Sequence, residues 1–166
     1  MDAGERRRLA DELVRQHYPL LFRLAYRLAG RNSDAEDLVQ QAMLIACSRL
    51  EQLRQPDQAG GWLCSIVRTV FLQSRRRTVR QVSADEEWWN NVGDKIPTKP
   101  AIDGDDLQAI LDEMPETYRV PLIMFYFCDL ETRAIASELG VAEGTISSRL
   151  SRGREYLRRR WRRNDK

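Results

Sequence analysis

Apolar positions along the chain fall into two blocks of helical spacing, separated by a stretch with no sustained period. In the first block Leu9, Leu13, Leu20, Leu21, Leu24 and Leu28 recur on one helical face. Pro19 either opens a fresh helix in its first turn or kinks a continuous one, and Gly30 ends the segment. Ser33-Asp34-Ala35-Glu36 then has the form of a capping box, with Ser33 capping and Glu36 reaching back. The helix it opens turns Leu38, Ala42, Ile45, Ala46, Leu50 and Leu53 inward. Asp37, Gln40, Gln41 and Leu44 share another face. Residues 55–61 read as a turn-forming loop. Trp62 starts a third helix, with Leu63, Ile66, Val67 and Val70 inward, ending in Arg75-Arg76-Arg77. Arg68, Leu72, Arg75 and Arg76 line one side of it.

The second block opens at Asp105 or Asp106, either of which can cap a helix bearing Leu107, Ile110, Leu111 and Met114. Pro115 stops that helix. Tyr118 to Phe127 is heavily apolar and reads as a core helix, with Pro121 tolerable only near its first turn. Leu130 to Arg154 reads as a helix-turn-helix. Ile135, Ala136 and Leu139 give its first helix an apolar face, and Gly140 sits where the chain must turn sharply. Val141 plugs the space between the helices. A second helix follows from about Glu143, with Ile146 and Leu150 inward and Thr145, Ser148, Arg149 and Arg152 outward. Short polar and guanidinium side chains on an exposed helix suit base edges and phosphates in a major groove. An ordinary helical hairpin with a solvated basic face is the plainer alternative.

The expected fold is therefore all-α: two small helical domains, 1–77 and 106–166, joined by a flexible acidic linker over 78–105. That linker carries Pro97, Pro100, Gly93 and Gly104, an excess of acids, and the unusual pair Trp88-Trp89.

Charge sharpens this picture. A net charge of +2 hides an acidic middle and a C-terminus rich in arginine. Arg158, Arg159, Arg160, Arg162 and Arg163 can neutralise phosphates but cannot choose a sequence. No apolar run approaches a membrane span, and the N-terminus has no secretory h-region. Cys47, Cys64 and Cys128 are an odd, scattered set inside helical patterns, which argues against a disulfide framework and suits a cytoplasmic setting. His17 is the sole histidine and there is no Cys-x-x-Cys, so no metal and no cofactor are expected. No catalytic set of Ser, His and acid is present, and no enzyme is expected.

Two quoted blocks carry a resemblance. YPLLFRLAYRLAGRNSDAEDLVQQAMLIA with GGWLCSIVRTVFLQSRRR looks like region 2 of the sigma-70 family. LDEMPETYRVPLIMFYFCDLETRAIASELGVAEGTISSRLSRGREYL looks like region 4. In this order and spacing the chain resembles a bacterial extracytoplasmic-function (ECF) sigma factor. The resemblance implies an alternative-type sigma factor that binds core RNA polymerase and directs promoter-specific initiation. It implies that Asp34, Glu36, Asp37, Gln40 and Gln41 dock on the β′ clamp helices, and that the 107–127 segment helps seat region 4 on the β flap. Gln58, Trp62, Arg68, Arg75, Arg76 and Arg77 would engage the melted minus-ten element. Arg133, Glu143, Gly144, Thr145, Ser147, Ser148, Arg149 and Arg152 would contact the minus-thirty-five duplex. Core polymerase, promoter DNA and an anti-sigma factor are the implied partners; Trp88-Trp89 is expected to pin the linker to one of the domains, the alternative being an anchor for an anti-sigma partner or for a closed, inactive pair of domains. The alternative reading is a stand-alone helix-turn-helix regulator that binds duplex DNA without polymerase.

Overall fold

The computed structural model describes residues 1–82 and 106–164, with side chains described for 1–77 and 106–163. The described residues form seven α-helices and two short 3-10 turns, with no strand among them. The helices are α1 (Ala3–Ala29), α2 (Asn32–Ser48), α3 (Ala59–Val82), α4 (Asp106–Glu113), α5 (Glu116–Tyr126), α6 (Thr132–Leu139) and α7 (Glu143–Asn164). The all-α expectation holds. Two compact units separate at Arg77 and Thr78.

In the first unit, α1 is one uninterrupted helix of 27 residues that passes through Pro19. Pro19 and Arg15, whose carbonyl loses its usual partner, are both exposed, so water can take the freed hydrogen bond. A capping box that the sequence reading did not anticipate starts this helix. Asp2 accepts from the Glu5 amide at 2.8 Å, and the Asp2 amide donates to Glu5 at 3.1 Å. Gly30, at φ 75°, ends it by donating its N–H to Tyr26 O.

The capping box expected at Ser33 is not formed. Arg31 is the N-cap residue, without a side-chain cap, and Ser33 already lies inside α2. Only Gly30 and Arg31 separate the two helices, so the left-handed glycine has reversed the chain before Ser33 is reached. Leu38, Val39, Ala42 and Ala46 of α2 are buried, as are Leu21, Leu24, Ala25 and Leu28 of α1, and the two helices pack together. Leu13, Leu50 and Ala59 form a smaller cluster that ties α1 to the loop after α2 and to the start of α3.

Residues 55–61 are not a plain loop, and α3 does not start at Trp62. Pro56–Gln58 is a 3-10 turn, and α3 begins at Ala59 with both glycines in its first turn. Gly60 thus lies in a helix rather than a turn, where a Cβ would meet the His17 ring at an ordinary contact distance of 3.5 Å. The helix also runs past Arg77 to Val82. Trp88-Trp89, Asp105 and the rest of the acidic linker lie outside the described residues.

In the second unit α4, α5 and α6 surround α7. Ile110, Leu111, Met114, Val120, Leu122, Ile123, Met124, Ile135, Ile146 and Leu150 are its buried core. Pro121 sits in the second turn of α5 rather than the first. It is buried, and apolar packing of its ring offsets the hydrogen bond it removes. Beyond α5, Asp129 adopts φ 54° and lets the Leu130 N–H reach Met124 O at 3.1 Å. Cys128 therefore lies in a turn, not in a helix as expected.

Candidate nucleic-acid interface

Three surfaces bring together most of the residues singled out from the sequence. The first is the outer face of α2. Glu36, Asp37, Gln40 and Gln41 are exposed, and Asp34 is half-buried at the helix start. Acids there also suit the positive end of the helix dipole. Leu44, on the same face, is 69% exposed.

The second surface surrounds Trp62, which is half-buried. On one side Gln52, Arg54, Gln55, Gln58, Gly61 and Trp62 line an open pocket of about 510 Å³. On the other side Ile45, Arg49, Thr69, Val70, Gln73 and Trp62 line a second pocket of about 290 Å³. The indole is thus a wall common to two concavities. In the second pocket the Ser65 hydroxyl donates to Trp62 O at 2.6 Å, and the Thr69 hydroxyl donates to Ser65 O at 2.8 Å. With their protons committed to the backbone, these oxygens are left as acceptors.

Not every expected arginine faces this surface. The Arg75 guanidinium lies 5.0 Å over the Phe71 ring, Arg68 is half-buried, and Leu72 between them is buried. Arg76 and Arg77 are exposed. The face of α3 that opens on the second pocket carries Ser65, Thr69 and Gln73, which the sequence reading did not select. Their spacing from Trp62 was the available signal. Cys64 sits nearby. Burial pushes its thiol up, and the positive charge of Arg68 pulls it partly back.

The third surface is the helix-turn-helix. Gly140, at φ 68°, closes α6, with the Val141 N–H donating to Ala136 O at 3.1 Å. The Ala142 carbonyl accepts from Thr145 and Ile146 at the start of α7. Ala142 has no side-chain oxygen to cap that helix. Instead, the Thr132 hydroxyl donates to Glu143 Oε1 at 3.1 Å and links the two helix starts. Ile146 and Leu150 are buried, while Ser147, Ser148 and Arg152 are exposed, with Thr145 and Arg149 half-buried. Arg133 is exposed on α6, and Gly144 has open space around it. At Gly153 a Cβ would lie 2.5 Å from Leu122 Cδ1, so α7 crosses α5 too closely for any larger residue to fit without movement.

Residues 13–81 match the family model for sigma-70 region 2, and residues 104–157 match the one for sigma-70 region 4. ECF RNA polymerase sigma factor SigM of Mycobacterium tuberculosis is 34% identical over 153 residues, covering 90% of this chain and 75% of the relative. The chain belongs to the ECF sigma factors of the sigma-70 family. SigE of Mycolicibacterium smegmatis is 41% identical over 157 residues, which are 89% of this sigma factor. The match spans only 60% of that relative's length. Among solved structures, the sigma factor RpoE of Bartonella quintana, determined in complex with the anti-sigma factor NepR, has a TM-score of 0.61 and 25% identity. That match covers 92% of this chain and 96% of the other.

No helix among the described residues is long and apolar enough to cross a membrane. Among them, too, no three His, Cys, Asp or Glu side chains gather as a metal site, and the three cysteines are free.

Proposed function

We propose that this sigma factor binds core RNA polymerase through the outer face of α2 and directs it to promoters through two separate DNA contacts. The sigma-70 region 2 match over residues 13–81, which contains α2, carries the proposal, and Leu44, 69% exposed amid Asp37, Gln40 and Gln41, adds an apolar contact to that polar face. Asp34, Glu36, Asp37, Gln40 and Gln41 supply charge and hydrogen bonds to the β′ clamp helices. Tyr126 and Phe127, 55% and 45% exposed at the end of α5, suit an apolar contact with the β flap.

Gln58 and Trp62, with the pockets beside them, hold unstacked bases of the melted minus-ten element. A preformed pocket offsets the few kcal/mol that unstacking costs. Arg76 and Arg77 supply phosphate contacts, and Arg68 and Arg75 act from the flank of α3. Thr145, Ser148, Arg149 and Arg152 of α7 meet the minus-thirty-five duplex in its major groove, with Arg133, Glu143, Gly144 and Ser147 at the margin. Units 1–77 and 106–166 thus divide polymerase docking and melting from duplex reading, with 78–105 between them. No covalent step belongs to this chain, which works where polymerase is, in the cytoplasm. Like its relative held by NepR, it is restrained by an anti-sigma factor.

The test is run-off transcription from bacterial genomic templates with core polymerase. Transcripts are expected with the wild-type chain and not with Asp34→Lys/Asp37→Lys. A chain that binds duplex DNA yet never associates with core polymerase would establish a stand-alone regulator instead.

A further inference from the structure

We propose that α7 makes a second, sequence-independent contact with duplex DNA through Arg159 and Arg163, beyond the segment that faces bases. This rests on the reading of α7 as a DNA-binding helix. The region 4 match ends at residue 157, yet α7 continues to Asn164, and five of the seven residues added are arginine.

Their placement is ordered. Thr145, Arg149, Arg152, Tyr156, Arg159 and Arg163 follow one another at alternating spacings of four and three. They therefore form a single line along the helix, about 27 Å long. Ile146, Leu150 and Gly153 lie buried on the neighbouring face, about a quarter to a third of a turn away. On this line Arg152, Arg159 and Arg163 are exposed, while Tyr156 between them is half-buried and packs on α4.

That half is also held in place. Arg160 pairs with Glu113 of α4 at 3.2 Å, and the Tyr156 hydroxyl donates to Glu113 O at 3.1 Å. The Arg160 guanidinium lies 5.4 Å over the Tyr156 ring. These contacts seat the distal turns on α4, so the cations on the line are presented at fixed spacing. They border a shallow groove of about 270 Å³ running from Arg152 to Arg163. Glu155 competes for Arg159 at 2.6 Å, but both side chains are largely exposed and such pairs are weak. A DNA phosphate displaces it, because guanidinium binds phosphate with matched, charge-assisted geometry. Arg158 and Arg162 are exposed as well, but they lie off the line.

The position of these two gives the control. Binding of the full chain to a mixed-sequence duplex is measured by fluorescence anisotropy across a salt series. Each phosphate contact contributes about 0.9 to the slope of log K against log salt. Arg159→Ala/Arg163→Ala should lower that slope by about 1.8, and Arg159→Lys/Arg163→Lys should largely retain it. Arg158→Ala/Arg162→Ala removes the same charge and should lower the slope by less than about 0.5. Glu155→Gln should tighten binding. Equal losses from the two alanine pairs would show an effect of net charge alone and overturn the proposal. An unchanged slope in Arg159→Ala/Arg163→Ala, with helicity intact by circular dichroism, would overturn it too. Failure of the wild-type chain to bind duplex at all would instead remove the reading of α7 on which the proposal stands.

Discussion

Helices α3 and α7 use the same ingredients and produce opposite surfaces. Each carries glycine in its first turns and arginines towards its end. Around α3 the surface is concave, with Trp62 standing between two pockets whose walls come from α2, the loop after it and α3 itself. Along the first turns of α7, from Thr145 to Arg149, polar and basic side chains stand on a convex helix over Ile146 and Leu150, and only from Arg152 onward does a shallow groove border it. A concave wall suits a base already out of its stack, whereas a convex helix suits an intact groove. The lesson is that charge and composition do not distinguish the two kinds of nucleic-acid contact proposed for these helices. What distinguishes them is whether the neighbouring elements rise above the helix or lie beneath it.

The strongest break in this comparison should come from the support beneath α7. Ile146→Ala should cost about 2–5 kcal/mol of stability in the second unit. Duplex binding should fall with it, while the first unit keeps its own unfolding transition and its affinity for single-stranded DNA. A single shared transition, shifted as a whole, would show that the two surfaces are not independently supported.

A functional dissociation comes next. Trp62→Ala should weaken binding of the assembled polymerase to a single-stranded minus-ten oligonucleotide by about 1–3 kcal/mol, with little effect on a minus-thirty-five duplex. Arg152→Ala should do the reverse, reducing the salt slope on duplex by about 1. Equal effects of both variants on both probes would erase the distinction. A smaller change is expected from Gly140→Ala, which places a side chain at φ 68° and should cost about 1–2 kcal/mol. Thermal melting would measure it.

The least effect belongs to Cys64, whose half-buried thiol is held above its ordinary range with Arg68 opposing. A raised thiol stabilises the fold fully below the unfolded value and loses that contribution as pH rises through the folded one. The stability difference between wild type and Cys64→Ala should therefore shrink only in alkaline solution. Denaturant titrations at neutral and alkaline pH would detect the change.

Most of the helices were legible because their apolar positions repeat at helical spacing, as in Leu21, Leu24 and Leu28 or Ile146 and Leu150. The turn at Gly140 was legible because only a left-handed residue fits there. Local signals misled where a neighbour decided the outcome. Ser33 and Glu36 have the right spacing for a capping box, but Gly30 had already turned the chain. Gly60 looked like loop chemistry, yet it sits in a helix where His17 comes close. Of the candidate surfaces, the exposed faces of α2 and α7 followed from periodicity. The pockets beside Trp62 did not, because Arg49 and Thr69 are brought together by tertiary packing rather than by sequence spacing.

Gly153 has a mechanical consequence. It marks the point where α7 comes nearest to α5, and Leu122 bears on it there. Thr145 lies about 12 Å along the rod from that point, so a tilt of about 5° would carry it sideways by about 1 Å. Gly153 thus acts as a fulcrum, and on the proposed reading of α7 the methyl groups of Leu122 bear on the angle at which the rod would meet a groove. Volume changes at Leu122, deep in the core and far from any phosphate, should retune which bases Thr145 and Arg149 can reach.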